Sequence, residues 1–128
     1  MSKKVSFDFD GTLSRQEVQD YAKSLINKGI NVFIVTARFN ELRKGVYKQN
    51  PTNDDLWEVC KKVGIPERNV IFCNMEDKSF YLMDSEVKFH LDDCWVTIKE
   101  INENTKVPAI DVMQPKWKEQ CNEILNKL

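Results

Sequence analysis

No part of the 128-residue chain approaches the ~20 consecutive apolar residues that a membrane-spanning helix requires. There is a single histidine, and the four cysteines, Cys60, Cys73, Cys94 and Cys121, form no CxxC pair, which argues against a Cys/His zinc site. Charge of either sign is not in surplus. Against 19 Lys and Arg stand 20 Asp and Glu, giving a net charge of −1 and a pI near 5.9, so no whole-chain electrostatic footprint for nucleic acid or an anionic membrane is present. Internal repeats, low-complexity tracts and interdomain linkers are also missing. The opening Met1-Ser2-Lys3-Lys4-Val5-Ser6-Phe7-Asp8 places charge where a secretory signal needs apolar residues. The expectation is therefore a cytoplasmic protein whose thiols stay reduced and mostly serve as small core hydrophobes.

What is there is material for a core. The chain is 41% hydrophobic and 30% charged, and its length fits one domain over residues 1–128. Strand and helix patterns alternate throughout. Strands are expected at Val5–Phe9, Val32–Val35, Val70–Cys73, Val87–Leu91 and Val107–Ile110, the last at a sheet edge because of Pro108. Ser14-Arg15-Gln16-Glu17 reads as a capping box opening a helix that buries Val18, Tyr21, Ala22, Leu25 and Ile26 and stops at Gly29. Further helices are expected from Asn40 to Tyr47, from Asn53 to Val63, near Lys78–Leu82, across Trp95, Ile98 and Ile101, and from about Pro115 to the end. Trp57, Trp95 and Trp117, at helical spacing, read as core or partly buried. Such alternation predicts an α/β fold of three layers, α/β/α and Rossmann-like, around a mostly parallel five-stranded sheet.

In sheets of that kind, ligands bind beyond the carboxyl ends of the strands. Those ends carry Asp8 and Asp10, then Thr36-Ala37-Arg38, then Lys78, then Asp92-Asp93. Residues two apart in an extended strand point the same way, so Asp8 and Asp10 are expected to address one cleft. Gly11 lets the backbone turn sharply there. Several carboxylates in one cleft repel unless a cation sits among them, and oxygen ligands with open water positions suit Mg²⁺. A hydroxyl, a backbone amide and a lysine opposite that cation suit a phosphate group, which together describe metal-assisted phosphoryl transfer.

Asp8-Phe9-Asp10-Gly11-Thr12-Leu13 resembles the DxDGT signature of the haloacid dehalogenase-like (HAD) superfamily. Val35-Thr36-Ala37-Arg38 resembles its second motif, Lys78 its third-motif lysine, and Leu91-Asp92-Asp93 its fourth-motif acidic pair, all in the family's order. The resemblance implies a HAD-like fold and an Mg²⁺-dependent phosphatase. Asp8 would be the nucleophile that forms an aspartyl-phosphate, and Asp10 the general acid and then base. Asp8, Asp10 through its carbonyl, Asp92 and Asp93 would hold the metal. Thr36, the Ala37 amide and Arg38 would meet the substrate, and Lys78 would neutralise the phosphate. Lys88 is the alternative to Lys78. An acid at position 10 favours a phosphatase over a dehalogenase.

Neither of the family's cap insertions has room here, because Asp10 and Ser14 are separated by only three residues and the span from Thr36 to Lys78 is used by two helices and a strand. An open site admits a large substrate. Asn40, Arg43, Lys44, Tyr47 and Lys48 are expected to contact it, and compact family members point by analogy to nucleotide or nucleic-acid-end phosphates. Two other readings stand beside this one: a receiver-like signalling domain, and a non-catalytic module that binds Mg²⁺ and a phospho-ligand. Other expectations are structural. Asp93 caps the following helix, His90 is a packed strand histidine, Cys94 is structural, and Arg38 divides evenly between substrate contact and an ion pair.

Overall fold

Among the described residues, the alternating and apolar runs form five strands, β1 (Lys4–Phe7), β2 (Asn31–Thr36), β3 (Val70–Phe72), β4 (Val87–Asp92) and β5 (Ala109–Asp111). Between and after them come the helices α1 (Gln16–Asn27), α2 (Asp54–Val63), α3 (Ser79–Leu82), α4 (Trp95–Asn104) and α5 (Trp117–Asn126). The computed structural model describes residues 3–40 and 53–127. The helix expected at 40–47 and the substrate contacts expected at Arg43, Lys44, Tyr47 and Lys48 lie outside the described residues.

One sheet holds all five strands in the order β3-β2-β1-β4-β5. Every pairing is parallel, so the sheet is wholly rather than mostly parallel. β5 lies at an edge, as Pro108 predicted, and the Pro108 carbonyl accepts the His90 N–H at 3.0 Å. The chain winds outward from β1 to β3, then returns to the other side of β1 for β4 and β5. The order therefore reverses between β1 and β4, and that switch opens a crevice at their carboxyl ends.

Strand alternation divides the sheet into two buried faces. Val5 and Phe7, Val32 and Ile34, and Phe89 and Leu91 share one cluster with Leu25 of α1, Leu56 of α2 and Cys121 of α5. Tyr21 stands edge-on between Phe7 and Trp117, with ring centroids 6.4 and 5.3 Å away. The opposite face packs Val35 and Cys73 against Leu82 of α3 and Ile101 of α4. These are the two helical layers of a Rossmann-like α/β/α arrangement. Among the described residues, no helix is long and apolar enough to cross a membrane.

Three local expectations are corrected. Ser14 is not the N-cap of α1: Arg15 occupies that position, and the Ser14 backbone is already helical (φ −66°, ψ −12°), whereas a cap needs an extended residue. The Ser14 hydroxyl instead accepts the Gly11 N–H at 3.1 Å. Trp95 is 71% exposed, because it opens α4 ahead of the turn where the helix reaches the sheet. Asp93 does not cap α4, whose N-cap is Cys94. It is Asp92 that accepts the amides of that turn, from Asp93 at 2.9 Å and Cys94 at 3.1 Å.

Candidate active site

Asp8 is the first residue past β1. Its N–H donates to the Leu91 carbonyl at 2.8 Å, so the β1–β4 ladder runs one step beyond the strand and delivers Asp8 to the crevice. The chain then leaves in a wide turn, with Leu13 N–H donating to Asp8 O at 3.0 Å and Ser14 N–H to Phe9 O at 2.9 Å. Gly11 makes that turn at φ +75°. β1 ends at Phe7, and so period-2 geometry does not govern Asp8 and Asp10. The two carboxylates part. Asp8 is buried, while the Asp10 side chain is 62% exposed and is gripped by Arg38 at 2.7 and 2.9 Å.

Lys78, at the N-cap of α3, sends its ammonium into the crevice. Nζ lies 2.8 Å from Asp8 Oδ1 and 2.7 Å from Asp92 Oδ2. Lys78, and not Lys88 within β4, is thus the lysine that meets the first acid. Asp92 ends β4, fully buried. Asp93, beside it, is exposed and accepts the Thr12 hydroxyl at 3.4 Å. Asp8, Asp92 and Asp93 bring carboxylate oxygens within 4.8 Å of one another.

The electrostatics follow from three acids around one base. Burial pushes the Asp8 carboxyl up to about 8, with Asp92 adding to the rise and Lys78 opposing it. Burial also works against ionising Asp92, but hydrogen bonds from His90 and Lys78 outweigh it and hold that carboxyl below the ordinary range. Burial disfavours the Lys78 charge, yet Asp8 and Asp92 more than compensate and keep it protonated. Three carboxylates with one ammonium leave the cluster two charges short of neutral when all are ionised. A proton on Asp8 relieves part of that repulsion, and a divalent cation would relieve it fully by displacing the proton. An all-oxygen donor set fits a hard cation such as Mg²⁺.

Thr36 is buried at the end of β2, and its hydroxyl oxygen accepts the Arg38 N–H at 3.2 Å. Arg38 is engaged as an ion pair. Besides Asp10, its guanidinium donates to both oxygens of Asp55 at 2.8 Å and to Asn53 Oδ1 at 3.2 Å, and it lies 4.8 Å from the Phe9 ring centre. Hydrogen bonds from Arg38 hold the Asp55 carboxyl down at about 2.

No family model, curated protein or solved structure matches this chain.

Four residues that touch the cluster or its rim have no role at the site in the sequence reading. Thr12 and Asp55 are named above. Ser6 and His90 form the others: Ser6 Oγ is 2.8 Å from His90 Nδ1, and His90 Nε2 is 2.8 Å from Asp92 Oδ2. His90 is packed in its strand as expected, but it is also a partner of the acidic cluster. The available signal was a polar residue on each of two neighbouring strands, flanked on both sides by apolar ones.

Proposed function

We propose that this chain is a magnesium-dependent phosphomonoesterase of the HAD type, without a cap domain. The observation that carries the reading is the Asp8–Lys78–Asp92 bridge at the point where the strand order reverses. Three separate stretches of sequence converge there on a buried carboxylate, a cation beside it and a further acid. The motif order Asp8, Thr36, Lys78, Asp92-Asp93 supports the same reading.

The chemistry would run on this chain's own groups. An Asp8 carboxylate oxygen attacks phosphorus in line, the bond from phosphorus to the ester oxygen breaks, and an aspartyl-phosphate forms. Asp10 gives a proton to the departing alkoxide, then removes one from the water that hydrolyses the acyl phosphate. That role requires Asp10 to leave Arg38 or to act at the margin of its grip. Lys78 stays charged and offsets the negative charge gathered on Asp8 and the phosphoryl oxygens. Thr36 and the Ala37 amide would meet the opposite phosphoryl oxygens. Asp8, Asp92, Asp93 and the Asp10 carbonyl would hold Mg²⁺, whose charge would draw the phosphate dianion to the carboxylates.

Only residues 8–15 separate β1 from α1, so nothing is inserted over the crevice there. The substrate class proposed is a nucleotide or nucleic-acid-end phosphate. The test is hydrolysis of an aryl phosphate with Mg²⁺, abolished by EDTA and by Asp8→Asn. A panel of nucleotides, 3′- and 5′-phosphorylated oligonucleotides, sugar phosphates and phosphopeptides then assigns the substrate. A wild-type protein that turns over none of these with Mg²⁺ present ends the proposal.

A further inference from the structure

Ser6 and His90 are register partners on β1 and β4, and both are fully buried. Neither has a part in the reaction set out above. Two polar side chains on a sheet face covered by apolar residues are unfavourable unless they are hydrogen-bonded. Here they are bonded to each other, and the line they form ends at Asp92.

The direction of the bond to Asp92 follows from what the groups can do. A carboxylate only accepts, so His90 Nε2 carries the hydrogen that meets Asp92 Oδ2. The other ring nitrogen, Nδ1, lies 2.8 Å from the Ser6 hydroxyl on the neighbouring strand. Ser6 thereby fixes the orientation of the ring that holds Asp92.

Asp92 is held at both of its carboxylate oxygens. Oδ2 accepts from His90 and Lys78, and Oδ1 accepts from the Asp93 and Cys94 amides. Two donors meet each of the two oxygens. The two amides belong to the turn and the His90 ring to the strand, so Lys78 is the one flexible donor. Its ammonium comes to rest where the fixed Oδ2 and Asp8 Oδ1 both reach it.

We propose that Ser6 and His90 are positioning residues: their hydrogen-bonded line fixes the Asp92 carboxylate, and through it sets Lys78 against Asp8. The activity arm of the test rests on the phosphatase reading, while the cation arm does not need turnover. The variants are His90→Phe, which keeps ring volume without either hydrogen bond, His90→Gln, whose amide can still donate to Asp92, and Ser6→Ala. All are made in the full chain.

With an aryl phosphate, His90→Phe is expected to lower kcat on the order of 10- to 100-fold while KM moves little, and to raise the Mg²⁺ concentration at half-saturation by a similar factor. His90→Gln should recover most of both, and Ser6→Ala should fall between. A merely structural role would lower the melting temperature of His90→Phe and His90→Gln together and leave the two alike in kcat and Mg²⁺ dependence, which overturns the proposal. Should His90→Phe fail to fold, the same comparison is made between Ser6→Ala and wild type, where unchanged kcat and Mg²⁺ dependence overturn it. Should wild type turn over nothing, the phosphatase reading falls, and a calorimetric Mg²⁺ titration decides this proposal alone. Weaker binding by His90→Phe than by His90→Gln supports it; equal binding, or no binding by wild type, overturns it.

Discussion

Gly11 and Asp93 approach so closely that a methyl group on the Gly11 Cα would collide with the Asp93 carboxylate. That glycine is also the residue at φ +75° in the turn after Asp8. Gly11→Ala therefore meets two penalties. The left-handed backbone disfavours any Cβ by roughly 1–2 kcal/mol, and the Asp93 carboxylate must move. An ångström of displacement at a reacting site can cost on the order of a hundredfold in rate. The expected outcome is a folded protein whose Mg²⁺-dependent hydrolysis falls by about that factor. Circular dichroism and steady-state rates check it, and wild-type rates in Gly11→Ala would show that Asp93 is not needed where it stands.

Lys78→Met should be more harmful to stability than to folding as such. It leaves Asp8 and Asp92 buried without the ammonium that bridges them. Removing one partner of a buried ion pair costs about 3–5 kcal/mol. Urea unfolding in EDTA is expected to show a loss of that order, and Mg²⁺ is expected to return part of it by supplying the missing positive charge. A variant as stable as wild type in EDTA would mean that the bridge is not formed in solution.

The Arg38 clamp gives a pH signature. Hydrogen bonds from Arg38 depress the Asp55 carboxyl from 3.8 to about 2. A depressed folded-state value means that the unfolded chain binds the proton more readily. The pair's contribution is thus complete above about pH 4 and is lost as the pH falls through about 2. Asp55 is largely exposed, so solvent screening keeps the effect small. The difference in melting temperature between wild type and Asp55→Asn should stay constant from pH 7 to about 4 and close towards pH 2. A gap just as wide at pH 2 would assign it to something other than ionisation.

Met75 holds φ +68° in the loop between β3 and α3 and is 69% exposed. Asn74 beside it, at φ +53°, is a residue type that tolerates this region, but methionine is not. Met75→Gly should stabilise the protein by about 0.5–1 kcal/mol after the greater freedom of the unfolded glycine is counted. The measure is a rise in the denaturant midpoint with an unchanged slope. A fall in the midpoint would mean that the exposed thioether packs on something.

Features decided by local pattern were legible in the sequence. The apolar runs at 32–35 and 70–73 became β2 and β3, and Pro108 marked an edge strand. Asp8, Lys78 and Asp92 were legible as a group because strand ends in a parallel sheet share one rim. Features decided by long-range partners were not. Nothing near Arg38 announces that Asp55, seventeen residues on, completes a clamp that turns Asp10 outward. The Ser6–His90 pairing depends on the β1–β4 register, which shifts between Lys4 and Ser6. No single-strand pattern encodes that shift. Trp95 has the spacing of a buried face, but its place in the first turn of α4 leaves it in solvent.

The bridge between Asp8 and Lys78 spans 70 residues of chain, Thr12 to Asp93 spans 81, and Ser6 to His90 spans 84. No local fragment contains these contacts. Partly folded chains, however helical, should be inert until β4 docks beside β1, and such non-local closure is slow. Recovery of hydrolysis after dilution from denaturant would thus time the completion of the sheet, lagging behind the return of far-ultraviolet ellipticity.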